Sequence, residues 1–145
     1  MNDWNYLGQH EVEFENTDIL MSPSVVAMAG ITARPFVLTP GSWKSFYATL
    51  NGKYVGRQYY DNTSSEDRSI PAYFVADFSM GYEIPVSGNS AVSLSFHVNN
   101  LFNRMYYADA WLWRAYFKHE DEFISDIGIY PQAPTNYMLK IAWRF

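Results

Sequence analysis

Apolar and polar residues alternate with period two along most of this chain. That period marks β-strands whose two faces meet different surroundings. The first predicted strand covers about Val25 to Arg34, with Val25, Ala27, Ala29, Ile31 and Ala33 on one face. Pro35 and the Thr39-Pro40-Gly41 cluster then impose a short turn, because proline cannot continue a paired strand. The second strand covers about Ser42 to Tyr59, with Phe46, Ala48, Leu50, Gly52, Tyr54 and Gly56 in phase. A polar loop follows from Asp61 to Ser69. The third strand, Ala72 to Ile84, alternates most cleanly: Ala72, Phe74, Ala76, Phe78, Met80, Tyr82 and Ile84 share a face. After a turn at Pro85 to Ser90, the fourth strand places Val92, Leu94, Phe96 and Val98 together. Its phase fails at Asn99-Asn100-Leu101, where a bulge is expected. The segment from Tyr107 to Pro134 has no clear period. The last strand, Thr135 to Phe145, alternates Tyr137, Leu139, Ile141, Trp143 and Phe145 with Met138, Lys140, Ala142 and Arg144. The predicted fold class is all-β, an antiparallel up-and-down meander of these five strands.

Charge separates the two faces. No apolar-face position named above is charged, whereas the opposite faces carry Arg34, Lys53, Asp77, Glu83, Lys140 and Arg144. A lipid-facing barrel wall excludes charge, since Arg or Lys at the bilayer midplane costs about 2–4 kcal/mol. The core of a soluble sandwich excludes it too, so the face count leaves both open. Loop lengths and ring positions favour the barrel. Connections alternate short and long, as in outer-membrane barrels. Phe36, Trp43, Tyr82, Trp143 and Phe145 lie near the short-turn end, and Tyr59, Tyr60, Tyr73, Tyr106, Tyr107 and Tyr137 near the long-loop end. Two aromatic girdles are expected at two membrane interfaces.

Composition narrows the classes further. The 145 residues carry a net charge of -5, 19% aromatic and 17% charged residues, and no cysteine. Nucleic-acid binding is not expected, because phosphate recognition needs concentrated Lys and Arg. Disulfides and thiolate metal sites are excluded. The longest apolar run, Val25 to Ile31, is far shorter than the roughly 20 residues of a spanning helix, which does not bear on barrels. The first residues, Met1 to Tyr6, do not resemble a signal peptide.

Four segments carry a family resemblance. Tyr54-Val55-Gly56-Arg57-Gln58-Tyr59-Tyr60-Asp61-Asn62-Thr63 resembles the YVGxQYxDNT segment of TonB-dependent receptors of the Bacteroidota type. Asn99-Asn100-Leu101-Phe102-Asn103, with Tyr106, is similar to their NNLFNxxY segment. Tyr130-Pro131-Gln132-Ala133-Pro134, followed by Asn136-Tyr137, is similar to their YPQAxxNY close. Asn16-Thr17-Asp18-Ile19 with Ser22-Pro23 resembles their NTDIxFSP segment. The resemblance implies a 22-stranded barrel in the bacterial outer membrane, closed around a plug and energised by TonB, that imports ferric siderophores, haem or similar nutrients. Against that pattern, residues 1–145 are expected to be the C-terminal segment of a transmembrane β-barrel, an incomplete barrel without plug or signal peptide. Such a piece is not expected to transport alone. The implied partners are outer-membrane lipid, the rest of the barrel and plug, the barrel-assembly machinery, and the TonB complex through the missing plug.

Candidate chemistry follows from placement. The terminal strand, with Tyr137, Leu139, Ile141, Trp143 and Phe145, resembles the assembly signal that the barrel-assembly machinery reads by edge pairing. Trp111, Trp113, Tyr116 and Phe117 in the last long loop are candidate ligand contacts, since exposed rings are costly unless they pack or bind. Lys53, Arg57, His97 and Asn99 are candidate lumen or plug contacts. Glu120-Asp121-Glu122 with Asp126 is acidic without calcium-loop spacing, and His10, His97 and His119 have no metal spacing. Neither a metal nor a cofactor is expected. Asp77 and Glu83 share a face but stand about 20 Å apart on an extended strand, too far for a glycosidase pair. No enzyme is expected. The competing readings are a soluble carbohydrate-binding β-sandwich and a β-fold glycosidase.

Overall fold

A computed structural model describes residues 13–39, 41–115 and 124–145. Its strands are β1 (Val26–Ala33), β2 (Tyr47–Val55), β3 (Gln58–Tyr59), β4 (Ser69–Ile70), β5 (Tyr73–Ser87), β6 (Ser90–Asn99), β7 (Tyr107–Ala115), β8 (Ile124–Pro131) and β9 (Asn136–Arg144). The strands β1, β2, β5, β6 and β9 form one antiparallel sheet whose spatial order follows chain order. They correspond to the five strands predicted from alternation. The remaining four make two-stranded ribbons, β3–β4 in the connection before β5 and β7–β8 in the connection before β9. The five-stranded sheet is open, with β1 and β9 as its edges.

Cross-strand register keeps the two predicted faces apart throughout. On the apolar face Ile31 pairs Leu50, Leu50 pairs Phe78, Phe78 pairs Val98, and Val98 pairs Tyr137. On the polar face Thr32 pairs Thr49, Thr49 pairs Ser79, Ser79 pairs His97, and His97 pairs Met138. A slip of one residue in β2, β5 or β9 would put Lys53, Asp77 and Glu83, or Lys140 and Arg144 among the apolar residues. Glycine and aromatic residues interlock across strands at two places in the five-stranded sheet. The Phe74 ring lies over Gly52, and the Tyr47 ring covers Gly81, where an added Cβ would meet it at 2.6 Å. An aromatic ring laid across a strand glycine restores the packing that glycine lacks.

The apolar face has no sheet packed on it among the described residues. Ile31 is 71% exposed, Leu139 63%, Ile141 68% and Trp143 68%. At the short-turn end its rings touch one another: Phe36 lies 6.0 Å from Trp43 and 5.8 Å from Phe46, and Trp43 lies 5.3 Å from Tyr82. At the other end the rings divide. Tyr54, Phe74 and Tyr137 are exposed on the apolar face, but Tyr60 and Tyr73 are buried. Those two serve the packing of the loops rather than a rim.

Strand boundaries depart from the alternation in three places. The predicted second strand, Ser42 to Tyr59, is divided. Ser42–Ser45 is a 3-10 turn, and the strand breaks after Val55. The Gly56 N–H donates to the Val25 carbonyl at 2.8 Å, and an added Cβ would stand 3.2 Å from that oxygen. Any side chain at this position would have to push the start of β1 back by a few tenths of an ångström. The third strand continues past Ile84 to Ser87, with its register shift at Pro85/Ser87, because Pro85 offers no N–H to the ladder. The bulge expected at Asn99-Asn100-Leu101 is instead the end of β6.

Asn100 makes that end. Its φ of 51° is left-handed, a conformation asparagine tolerates better than most residues. The buried Asn100 amide donates to the carbonyls of Arg104 (2.8 Å) and Ala133 (3.1 Å), and accepts the Arg104 N–H (2.8 Å). Its backbone N–H donates to Asp77 (2.8 Å), and its carbonyl accepts the Thr135 hydroxyl (2.6 Å). One residue thereby ties the end of β6 to β5 and to the segment entering β9. Asn100→Ala is expected to cost about 2–4 kcal/mol, because it strands buried partners and strains φ. Asn100→Gly relieves only the strain and should cost less. Urea unfolding in detergent measures both, and a negligible loss for Asn100→Ala would refute this role.

Candidate functional site

The two long connections meet at one end of the sheet. Residues 56–72 carry β3–β4, and residues 100–135 carry β7–β8. Tyr60, Ile70 and Ala110 form a small core there, packed by Met21, Tyr107 and Leu112. Tyr106 extends the packing by stacking on Tyr73 at 4.5 Å. Apolar burial thus reaches across both loops, although each ribbon alone is too small to hold itself.

Asp61 fixes the arrangement electrostatically. Its carboxylate accepts the Thr63 N–H at 3.0 Å and the Thr63 hydroxyl at 2.5 Å, the local turn that Asp forms with a residue two positions on. The same carboxylate takes Arg68 at 3.0 Å and Arg114 of β7, so one largely buried acid joins the two ribbons. Tyr60 donates its hydroxyl to the Asp67 carbonyl at 2.7 Å. Burial, then the charges of Asp61 and Asp67, hold the Tyr60 phenol above the ordinary 10.0. The folded state keeps this proton longer than the unfolded chain. Its contribution to stability is therefore complete below pH 10 and is lost as pH rises through the raised value. Burial, with Asp77 second, raises Tyr106 in the same direction.

Alternation along β7 and β8 gives the second ribbon two unlike faces. Ala110, Leu112 and Arg114 turn toward the loop core and Asp61. Asp109, Trp111 and Trp113 share the other face, paired across the ribbon with Tyr130, Gly128 and Asp126. Trp111 and Trp113 are 45% and 52% exposed. The Trp111 indole lies against Gly128, which leaves no room for a Cβ.

The predicted site residues fall into separate groups. Trp111 and Trp113 stand together on this open face, while Tyr116 and Phe117 lie outside the described residues, as do His10, His119 and the acidic run at 120–122. Lys53 and His97 are on the polar face of the sheet, two strands apart, with Val75 and Ser79 as their respective β5 partners. Asn99 is at the end of that face, donating to Asn136 at 2.8 Å. Arg57 lies beyond β2 in the loop and is engaged by Glu66. Tyr137, Leu139, Ile141 and Trp143 lie on the apolar face of the edge strand β9, with Phe145 just beyond its end; the Trp143 and Phe145 rings are 5.9 Å apart. Asp77 and Glu83 are occupied separately, by the Asn100 N–H and by Arg144 at 3.3 Å. Sequence reasoning passed over Asp61, Arg68, Arg114 and Asn100 as individuals. Asp61 and Asn100 nevertheless lie inside segments that carry the family resemblance, and an Asp two residues before Thr is itself a turn signature.

A protein-family model described as TonB dependent receptor-like, beta-barrel, matches residues 6–101. The chain belongs to that family. The match includes β1, β2, β5, β6 and the loop built around Asp61, and ends at Leu101, just after the Asn100 turn. TonB-dependent receptors are transport and recognition proteins of the outer membrane that serve nutrient uptake; the chain is accordingly not an enzyme. Neither the curated proteins nor the solved structures gave a match. Within this TonB-dependent receptor chain, the loop junction yields a direct expectation. Asp61→Ala leaves Arg68 and Arg114 facing each other without their shared acid and should cost about 1–3 kcal/mol. Glu66→Gln removes only the exposed pair with Arg57 and should cost clearly less. Amide exchange in β4 and β7 distinguishes them, and equal protection in the two variants would dismiss Asp61 as the junction.

Proposed function

We propose that this chain is the C-terminal barrel portion of an outer-membrane TonB-dependent receptor of the Bacteroidota type, one that takes up a ferric siderophore, haem or a similar scarce nutrient. The observation that carries the reading is the apolar face of the five-stranded sheet: free of charge, continuous in register across all five strands, uncovered, and bounded by aromatic rings. A surface of this kind is stable only against hydrocarbon or another apolar body. In this reading the connections carrying β3–β4 and β7–β8 are extracellular, and the turns at 34–46 and at Gly88-Asn89 face the periplasm. Lys53, His97 and Asn99 line the lumen toward the plug, and Trp111 and Trp113, with Tyr116 and Phe117, meet the ligand. The strand β9 carries the assembly signal for the barrel-assembly machinery. The plug, and through it TonB, belong to the rest of the receptor. The five strands contribute wall and loops and do not transport alone, because the sheet has two unpaired edges.

Two substitutions test the wall. Leu50→Arg should cost about 2–4 kcal/mol if its side chain meets midplane lipid, whereas Thr49→Arg, one residue along and on the polar face, should cost clearly less. Unfolding of the receptor in lipid vesicles measures both, and equal costs would reject the face assignment. The assembly role is tested separately. Deleting Phe145 from the receptor should lower its outer-membrane level, read by surface labelling of intact cells, and an unchanged level would remove the terminal strand from that role.

A further inference from the structure

The open face of the β7–β8 ribbon has a composition of its own. Trp111, Trp113 and Tyr130 supply three exposed rings, and Asp109 and Asp126 supply two exposed carboxylates on the same face. Each carboxylate is held in place, Asp109 by the Ala110 N–H at 2.8 Å and Asp126 by the Ile127 N–H at 2.9 Å. The cation of the ribbon's described residues, Arg114, is on the opposite face and is committed to Asp61. Gly128 lets the Trp111 ring lie low across the neighbouring strand. Rings present a negative π-face, and Trp presents the strongest. Two fixed carboxylates add to that field and repel anions.

We propose that this face binds the positively charged group of the receptor's ligand, an ammonium or guanidinium seated on the Trp111–Trp113 strip between Asp109 and Asp126. The proposal rests on reading this ribbon as the ligand-facing loop, and it names the charge class of what is bound there. Charge complementarity selects the occupant: a neutral sugar gains the rings but not the field, and an anionic chelate opposes it, haem with its two propionates included, so within the proposed nutrients the face selects a siderophore that carries a free cation.

The test is isothermal titration of the whole receptor in non-ionic detergent with tri-arginine amide, and in parallel with maltotriose and tri-glutamate. Tri-arginine should bind, and more weakly as NaCl is raised. Trp113→Ala and Asp126→Asn should each weaken it by about 3- to 10-fold, and Trp113→Phe should recover part of the loss. Asp126→Asn keeps the acceptor for the Ile127 N–H, so its effect reports charge rather than folding. Tri-arginine binding indifferent to these variants would overturn the site. Binding of maltotriose or tri-glutamate, dependent on Trp113, without tri-arginine binding would overturn the charge class and leave the ligand-facing reading standing. No binding of any of the three probes would overturn both.

Discussion

A strand that crosses hydrocarbon must have every backbone N–H and C=O hydrogen-bonded to a neighbouring strand, because no water is present to take their place. As the proposed wall of a barrel, this sheet comes under that constraint. Its inner strands β2, β5 and β6 each have a neighbour on either side, β5 pairing β2 over Tyr73–Gly81 and β6 over Phe78–Ser87, and the one register shift falls at Pro85/Ser87, near a turn. The edges β1 and β9 each keep one unpaired row. In water such edges invite association with other chains; in a bilayer they are untenable unless further strands complete them. The proposed wall is thus defined as much by what its edges need as by the strands it contains.

Lateral pairing also explains why side-chain phase is so strict. Once backbone pairing fixes register, each residue's side is decided, and a single slip exchanges the two faces. Here the penalty is large on both sides: Arg144, Lys140 or Glu83 would enter the apolar face, and Leu94 or Ile141 the polar one. The cross-strand interlocks of Phe74 with Gly52 and Tyr47 with Gly81 add local specificity, because a ring fits over a glycine only at one register. Ring and charge therefore specify the same alignment independently.

The same physics sets what could be read in advance. Strand phase was legible because it depends on the nearest neighbours in sequence, and the five sheet strands and both their faces follow from it. The ribbon β7–β8 was not legible, although Trp111 and Trp113 alternate cleanly with Leu112 and Arg114. Its inward face is small and mixed, and it is buried only because Tyr60 and Ile70 arrive from a loop some forty or fifty positions earlier. The Asn100 turn was mistaken for a bulge for a related reason. A broken phase reports that regular pairing stops. It does not report whether the strand resumes or ends, which depends on Asp77, Ala133 and Thr135, all distant in sequence.

Asp61 and Asn100 then stand in a common relation to the sheet. Both lie where a strand of the sheet gives way to a long connection, both make a local turn, and both spend their remaining hydrogen-bonding capacity on a second segment of chain. A polar side chain in such a place is stable only while its partners are present. The described residues of the loop end consequently pack as one body. That body presents the tryptophan face of β7 outward because Arg114, on the same strand, is held inward by Asp61. The orientation of the candidate ligand surface is therefore decided by a buried charge pair on its opposite side.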